Sequence, residues 1–299
     1  MASRENMPEQ IGGLSAIAGG YRGLYCDIWG VVHDGVTAYS QAIDALRAFR
    51  QRHGPVVLIT NAPRPCQEVR RSLHRLKVPE DAYDAIVSSG DVTRNLLIQR
   101  SGQKVYHLGP DRDLPVLENI ELERVSLERA DFILCTGLFR DDTETPEDYR
   151  DLLATARARS LEMICANPDR VVEVGDRLHY CAGSLADAYA QIGGPVINAG
   201  KPHPPIYDLA LALLEAAAGR RVARHEILAI GDSIRTDLAG AAAMGMDALF
   251  VTGGIHDGKE GAPGLQHESV RIDRSAQALA RQCAEAGVRP RAMLRRLAW

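Results

Sequence analysis

Acidic side chains lie in parts of this sequence where a carboxylate could take part in chemistry. Asp27 ends the apolar run GLYCD, and Asp232 and Asp237 lie in the segment GDSIRTD, which follows the apolar run EILAI. A charged side chain is seldom found in such a run unless it is paired or binds a metal ion. Mg²⁺ is a hard cation that takes oxygen ligands and keeps several waters. These aspartates therefore indicate a divalent cation shared by Asp27 and Asp232.

Groups that suit a phosphate lie in two other segments. Thr60 and Asn61 follow the apolar run VVLI, and Lys201 lies in NAGKPHP, just before a helical pattern. A hydroxyl and an amide donate hydrogen bonds to phosphate oxygens, and a lysine offers a point charge. Each feature alone is common, because Thr-Asn after a strand often forms a turn and an aspartate there often caps a helix. Their occurrence together, in this order, indicates a phosphate-binding pocket beside the cation.

The elements that must bring these residues together follow from hydrophobic periodicity. Apolar runs typical of buried strands alternate with helical patterns along the chain. This alternation predicts a parallel sheet with right-handed crossovers, in which ligands bind at the carboxyl ends of the strands. The strand candidates are 23–29, 55–60, 84–89, 226–231 and 247–254, and the helix candidates are 40–53, 66–76, 91–100, 204–219 and 235–245.

The middle of the chain is less regular, with several short strand candidates and two helical patterns. We therefore predict an α/β fold with a Rossmann-like, doubly wound parallel-sheet core formed by residues 1–102 and 196–299. A smaller α/β domain is predicted as an insert at 103–195. The basic C-terminal segment RPRAMLRRLAW carries an apolar stripe and is interpreted as a docking helix.

Composition limits the class of protein. The chain has 299 residues, 45% of them hydrophobic and 25% charged, with a formal net charge of −4, which is typical of a globular protein and argues against a nucleic-acid surface. No apolar run reaches about 18 residues, so no membrane span is expected. The polar N-terminus does not resemble a secretory signal, and the six cysteines lack metal-site spacing, so we expect reduced thiols and a cytoplasmic protein.

The motifs above, taken in order, resemble those of the haloacid dehalogenase-like (HAD) hydrolases. The long insert between Thr60–Asn61 and Lys201 is similar to the class IIA, or NagD-like, branch, which includes pyridoxal phosphatase, 4-nitrophenyl phosphatase and ribonucleotide monophosphatase. The segments that carry this similarity are DIWGVVHDG, VSSG, NPD, AGKPHPPIYDLAL and GDSIRTDLAGAAAMGMDALFVTGG. The resemblance covers nearly the whole chain.

The resemblance implies a Mg²⁺-dependent phosphatase that acts on a small phosphorylated metabolite, such as a sugar phosphate or a nucleotide. Asp27 would attack phosphorus and form an aspartyl-phosphate, which water would hydrolyse. Asp27, Asp232 and the backbone carbonyl of Trp29 would hold Mg²⁺. Thr60, with Asn61, and Lys201 would bind the phosphate.

The resemblance also assigns supporting residues. Asp237 would contact Lys201 or a metal-bound water. Ser233, like Asp237, would support the site without binding the metal ion directly. The insert would act as a cap that closes over the pocket, with Asn167 and Asp169 facing the substrate, although Asn-Pro-Asp is also a common turn. Relatives in this branch are often dimers through the cap, so a homodimer is possible, and no nucleic-acid or membrane partner is expected.

One residue departs from the family pattern. Most phosphatases of this family have Asp-x-Asp in the first motif, where the second Asp acts as general acid and base, but this chain has Trp29 there. An indole can neither donate an acidic proton nor accept one. General acid–base catalysis is typically worth ~10²–10⁴-fold, so phosphates with alkoxide leaving groups should suffer most, and aryl or acyl phosphates least. The DxWG sequence resembles a poorly characterised class IIA subgroup.

Several interpretations of Trp29 remain open. His33 or Asp34 could replace the missing acid, although the first could equally be a surface residue and the second part of an Asp-Gly turn. The enzyme could instead be slow and selective for activated phosphates. Catalysis could be lost, which would leave a protein that binds a phosphorylated ligand. Finally, slow attack by water on the aspartyl-phosphate could favour transfer of the phosphoryl group to an alcohol or a sugar.

Overall fold

A computed structural model describes residues 8–174, 177–253 and 276–299. The fourteen strands of this described part form three sheets. In chain order the strands are β1 (Glu9–Gln10), β2 (Gly23–Asp27), β3 (Val56–Thr60), β4 (Ala85–Ser88), β5 (Lys104–Leu108), β6 (Glu123–Arg124), β7 (Phe132–Cys135), β8 (Glu162–Cys165), β9 (Val171–Val174), β10 (Arg177–Tyr180), β11 (Val196–Asn198), β12 (Ile227–Gly231), β13 (Asp247–Val251) and β14 (Ala292–Leu294).

Eight α-helices are described. They are α1 (Ser40–Arg52), α2 (Cys66–Arg75), α3 (Ser89–Ile98), α4 (Arg150–Ala158), α5 (Ala182–Gln191), α6 (Pro204–Ala218), α7 (Ala239–Ala243) and α8 (Ala276–Glu285). A π-helical turn, Ile234–Leu238, leads directly into α7. Among the residues that the structure describes, none of the helices has the length and apolar character needed to cross a membrane.

The largest sheet has seven parallel strands in the order β1-β14-β13-β12-β2-β3-β4. Successive side chains of a strand point to opposite faces, and here both faces are buried. Along β2, Leu24 and Cys26 join the hydrophobic cluster beneath α1 and α2, whereas Tyr25 joins the cluster beneath α6 and α7. Helices thus cover both faces, and the predicted fold class, a Rossmann-like doubly wound sheet with a smaller α/β unit inserted, is confirmed.

Local sequence signals explain where two of these helices begin and end. The Ser88 side chain accepts a hydrogen bond from the backbone N–H of Asp91, whose carboxylate in turn accepts from the Ser88 N–H, so α3 begins with a capping box. Helix α6 begins with two prolines and ends at Gly219, whose φ of 66° lies in the left-handed region that favours glycine.

The inserted segment carries a second, smaller sheet. Its five parallel strands follow the order β11-β8-β7-β5-β6, and β9 and β10 form a separate antiparallel hairpin. One face of this sheet packs on α4 and α5, and the other packs on α3 and the 3₁₀ segment Asp111–Leu117. The last strand of this sheet in chain order, β11, ends at Asn198, three residues beyond the predicted end of the insert at residue 195. The domain limits 1–102, 103–195 and 196–299 stay a prediction.

The C-terminal segment is not the predicted docking helix. Residues 292–294 form β14, which extends the large sheet between β13 and β1. Ala292 and Leu294 join the cluster on one face of the sheet, and Met293 joins the cluster on the other. A short apolar run buried on both faces cannot be distinguished from a helical stripe by periodicity alone, which is why the helix prediction was wrong.

Two neighbouring residues at the end of α3, one buried and one exposed, allow a test of how α3 packs against the smaller sheet of the inserted segment. Leu97 is fully buried against the second sheet, whereas Ile98 is 55% exposed. We expect Leu97→Ala to lower the free energy of unfolding by about 2–5 kcal/mol, because it removes buried methyl groups and leaves a cavity. Ile98→Ala should change it by less than about 0.5 kcal/mol. Urea denaturation followed by circular dichroism measures both, and equal losses would contradict this packing.

Candidate active site

The carboxyl ends of three neighbouring strands bring the predicted site residues together. Asp27 ends β2, Thr60 ends the adjacent β3, and Asp232 follows β12 on the other side of β2. The register aligns them, since Asp27 pairs with Ile59 and Cys26 pairs with Ile230. Because adjacent strands lie about 4.8 Å apart, these side chains must share one edge of the sheet.

Three buried carboxylates form a compact cluster at this edge. Asp27, Asp232 and Asp237 each present a carboxylate oxygen within 4.8 Å of the others, and each side chain is almost fully buried. Like charges at this spacing repel one another strongly in a poorly hydrated environment. An all-oxygen donor set of this kind fits a hard divalent cation such as Mg²⁺. The structure thus places Asp237 beside the two predicted ligands.

Lys201 lies between two of these carboxylates. Its Nζ is 2.6 Å from Asp27 Oδ1 and 2.6 Å from Asp237 Oδ1, and it also donates to the carbonyl of Ile59 at 3.4 Å. Burial works to lower the pKa of this ammonium, but the negative charges of Asp237, Asp27 and Asp169 outweigh burial and hold the pKa well above its usual value. Lys201 therefore carries a positive charge at neutral pH.

The protonation of Asp27 depends on what surrounds it. Burial raises the pKa of Asp27, the ammonium of Lys201 lowers it in part, and the charge of Asp237 raises it again. A nucleophilic carboxylate must be ionised, and this environment by itself favours the neutral acid. A divalent cation among the three carboxylates would favour the ionised form, because a bound cation is the largest local charge in such a site.

The segment GDSIRTD holds Asp237 in place through its backbone. The Ser233 N–H donates to Asp237 Oδ2 at 3.1 Å, and the Ser233 hydroxyl accepts from the Thr236 N–H at 3.3 Å at the start of the π-helical turn. A Cβ on Gly231 would lie 2.2 Å from the Cβ of Asp237, so the Asp237 side chain can pack here only because residue 231 is a glycine. Ser233 thus contacts the cluster through Asp237.

Asn61 links Lys201 to the inserted segment. Its Oδ1 accepts from the Lys201 N–H at 2.7 Å, and its Nδ2 donates to the Lys201 carbonyl at 3.2 Å and to Asp169 Oδ1 at 3.0 Å. A Cβ on Gly200 would lie 2.3 Å from Asn61 Oδ1, so this approach requires glycine. The sequence predicted that Asn61 binds the phosphate. In the structure the Asn61 side-chain amide instead bonds to the backbone of Lys201 and to the Asp169 carboxylate.

A cavity of about 490 Å³ opens beside this cluster, between the large sheet and the inserted segment. Thr60 lines it, and so do the predicted substrate residues Asn167 and Asp169. The Asn167 Oδ1 accepts from the Asp169 N–H at 3.1 Å, which fixes the Asn-Pro-Asp loop. The wall facing this loop includes Ile28, Trp29, His33, Ala62, Arg64, Val69, Ser72, Leu73 and Arg75, and the insert adds Arg112, Asp113, Thr136, Asp141, Val172, His179 and Tyr180.

Trp29 lines the cavity and packs against a compact loop. Its ring meets the His33 ring edge-on with 5.1 Å between centroids, and a Cβ on Gly35 would lie 2.6 Å from the indole. His33 is buried and its Nδ1 accepts from the Gly35 N–H at 2.9 Å. Burial lowers the pKa of His33 to about 4, so this imidazole is neutral at pH 7 and holds no proton that it readily gives up.

The Asp34 carboxylate accepts hydrogen bonds from the backbone N–H groups of Val36 and Thr37, and Asp34 is absent from the described lining of the cavity.

One buried ion pair at the cavity was not found from the sequence. Arg64, which follows β3, donates to Asp113 of the inserted segment at 2.8 Å, and the Asp113 side chain is only 3% exposed. The two residues are 49 positions apart, and neither lies in a motif or a periodic pattern. No local signal could have indicated this contact between the two units.

Two family models match the chain. A model described as haloacid dehalogenase-like hydrolase matches residues 24–123, and one described as HAD-hydrolase-like matches residues 198–278. A solved structure of a hydrolase of the haloacid dehalogenase-like family from Brucella suis 1330 is 41% identical, covers 97% of this chain and 100% of that chain, and superposes with a TM-score of 0.83. The chain belongs to the haloacid dehalogenase-like hydrolase family. Its fold also resembles that of a possible sugar phosphatase of this superfamily from Cytophaga hutchinsonii, at 20% identity over 96% of this chain and 97% of that chain and with a TM-score of 0.73.

Within this family, more distant curated relatives are phosphatases. The 5'-nucleotidase YutF of Bacillus subtilis is 25% identical over 79% of this chain and 88% of that protein. The ribonucleotide monophosphatase NagD of Escherichia coli is 26% identical over 78% of this chain and 88% of that protein. These homologues support the predicted NagD-like relationship and the prediction of a hydrolase of phosphoric monoesters. Assignment to a DxWG subgroup stays a prediction.

The three hydrogen bonds of Asn61 can be tested by their removal. Asn61→Ala leaves the buried N–H and carbonyl of Lys201 without their partners, so we expect the free energy of unfolding to fall by about 1–3 kcal/mol. Asn95→Ala is the matched control, because Asn95 is exposed on α3 and should change stability by less than about 0.5 kcal/mol. Thermal and urea denaturation measure both variants. A fully stable Asn61→Ala protein would show that these contacts contribute little.

Proposed function

We propose that this protein is a Mg²⁺-dependent phosphatase that hydrolyses a small phosphorylated metabolite through an aspartyl-phosphate on Asp27. The observation that carries this proposal is the contact of Lys201 with buried Asp27 inside the carboxylate cluster, next to the cavity that Trp29 and Thr60 line. A phosphate dianion cannot approach a carboxylate unless positive charge offsets the repulsion between them. The phosphatase relatives support the same chemistry.

The metal site in this proposal uses oxygen ligands from two strand ends. Asp27 and Asp232 would hold Mg²⁺ with the backbone carbonyl of Trp29, and the clustered carboxylates fit that ion. The bound ion would offset negative charge on the phosphate and act as a Lewis acid. Asp237 would support the site through Lys201, as its 2.6 Å contact with Nζ suggests, and Ser233 would hold Asp237.

The residues of the chain have distinct roles in the proposed reaction. A carboxylate oxygen of Asp27 attacks phosphorus, and the Lys201 ammonium and the Thr60 hydroxyl hold the phosphate oxygens. Asn61 fixes the backbone of Lys201, so its contribution to phosphate binding runs through that residue. The ester bond then breaks, and water later releases phosphate from Asp27.

The substrate class in this proposal is a sugar phosphate, a nucleotide or another small phosphate ester. Residues 103–195 would act as a cap on the core formed by 1–102 and 196–299, because the cavity is lined from both parts. With Trp29 at the acid position, activated leaving groups should react fastest. This pattern fits the DxWG subgroup to which we assign the chain.

The nucleophile can be tested directly. Asp27→Asn should lower the release of phosphate from 4-nitrophenyl phosphate and acetyl phosphate by more than about 10³-fold, because an amide oxygen is a poor nucleophile. Asp44→Asn is the control, since that carboxylate is 71% exposed on α1 and away from the cavity lining. Assays with and without Mg²⁺ measure both variants. An Asp27→Asn protein as active as the wild type would end the proposal.

The metal site can be tested without turnover. Mg²⁺ at about 100 times its Kd should stabilise the wild type by about 2.7 kcal/mol, seen as a rise in Tm. Asp232→Asn should abolish most of this rise, because a neutral amide replaces a charged ligand. Asp44→Asn should retain it. Differential scanning fluorimetry with a Mg²⁺ titration gives the answer, and an undiminished rise in Asp232→Asn would place the ion elsewhere.

A phosphotransferase is the second candidate, and Trp29 is the observation that favours it. An indole cannot take a proton from the attacking water, so an aspartyl-phosphate would be hydrolysed slowly, and transfer would occur if an alcohol attacks where another group accepts its proton. The same assays with excess glycerol distinguish the two activities, since free phosphate as the sole product excludes transfer. Loss of catalysis would leave a binding protein, recognised by thermal stabilisation with phosphorylated ligands and no turnover.

A further inference from the structure

Three aspartates line the described part of the cavity, and they differ in their partners. Asp113 accepts from Arg64 at 2.8 Å, and Asp141 is in contact with Arg112. In each of these two pairs the guanidinium occupies carboxylate oxygens that would otherwise face the cavity. In the described part of the chain Asp169 makes no ion pair within 4.0 Å, and its Oδ1 accepts a hydrogen bond from the neutral amide of Asn61. Asp169 is thus the one of these three lining carboxyl groups whose oxygens are not occupied by an arginine in the described part of the chain.

The location of Asp169 suits a group that acts on the leaving oxygen. Asp27 reaches the site from β2, whereas Asp169 follows β8 in the inserted segment and lines the cavity together with Trp29 and Thr60. In phosphoryl transfer the attacking and leaving oxygens lie roughly in line on opposite sides of phosphorus. A proton donor for the leaving oxygen must therefore reach the side of the phosphate away from the attacking oxygen, and a residue of the inserted segment that lines the cavity is a candidate for that position.

The backbone around Asp169 is held rigidly. Its N–H donates to Asn167 Oδ1 at 3.1 Å, and its carbonyl accepts from the Gly183 N–H at 3.0 Å. A Cβ on Gly183 would lie 2.5 Å from this carbonyl oxygen, so the start of α5 packs directly on the loop. Through Asn61 the carboxyl group is also tied to Lys201, which contacts the nucleophile. A general acid needs a fixed position of this kind.

The surroundings of Asp169 raise the pKa of its carboxyl group above the usual value. Burial raises its pKa, and the charge of Asp237 raises it further. The ammonium of Lys201 and hydrogen bonds from Asn61 and Thr236 oppose this shift without cancelling it. The other ionisable groups that interact with it are Asp27 and the thiols Cys165 and Cys181.

We propose that Asp169 is the general acid and base of the reaction and supplies from the inserted segment the function that Trp29 cannot provide. This proposal rests on the proposed function. As Asp27 attacks phosphorus, the bond from phosphorus to the leaving oxygen breaks, its electron pair stays on that oxygen, and Asp169 gives that oxygen its proton. Water then attacks the aspartyl-phosphate and loses a proton to Asp169, which releases phosphate and restores both side chains.

The test compares two substrates whose leaving groups differ in acidity. Asp169→Asn retains an oxygen that can accept the hydrogen bond from Asn61, but it cannot exchange the proton. Phenol is a weaker acid than 4-nitrophenol, so phenyl phosphate needs protonation of its leaving oxygen more. We expect the variant to lower kcat/KM for phenyl phosphate by about 10²-fold or more, and for 4-nitrophenyl phosphate by less than about tenfold. The parameter kcat/KM is used because it reports the step in which the ester bond breaks.

The matched control is Asp141→Asn, which changes another aspartate of the same cavity and should alter both kcat/KM values by one common factor. The Tm of each variant confirms that it is folded. An equal fall of both values in Asp169→Asn would show that Asp169 only positions Asn61, and unchanged values would show no role; either result overturns the proposal. Failure of the proposed function is read separately, as a wild type that hydrolyses neither substrate or as an active Asp27→Asn protein.

Discussion

The arrangement of the site depends on the repulsion among three buried carboxylates. Asp27, Asp232 and Asp237 are held within 4.8 Å of one another where little water can screen them. The ammonium of Lys201 contacts two of them and compensates part of this charge. The remaining charge is relieved either by a proton on Asp27, whose pKa burial raises, or by a bound cation, since buried like charges are otherwise very costly. In the function that we propose, this cost in stability is offset by a site that attracts a cation and a phosphate.

The sheet and a few glycines maintain this concentration of charge. Parallel pairing aligns the ends of β12, β2 and β3, so the main functional groups lie at one edge without long loops. Gly231 allows Asp237 to pack against the strand end, and Gly200 allows Asn61 to reach the Lys201 backbone. These glycines are required because a Cβ would occupy the space of a functional side chain.

Both the inserted segment and the part of the chain around the large sheet line the cavity. Asn61 and Arg64 follow one strand of that sheet, and their side chains bond to Asp169 and Asp113 of the insert. The two units are therefore coupled at the site itself. In the reaction that we propose, this coupling would let a residue of the insert influence chemistry at Asp27, where Trp29 occupies the position of the usual acid.

The sequence by itself determined the doubly wound sheet, because strand–helix alternation is a local signal, and polar residues after apolar runs predicted which side chains share its edge. Asp27, Thr60, Lys201 and Asp232 were predicted in this way, and the structure brings them close together, while their roles stay a prediction. Only the tertiary structure decided that Asn61 holds Lys201, that His33 is buried, that Asp34 belongs to a turn, and that the C-terminal segment is a strand. These properties arise from contacts between residues distant in sequence or from burial on two faces, and neither leaves a local pattern.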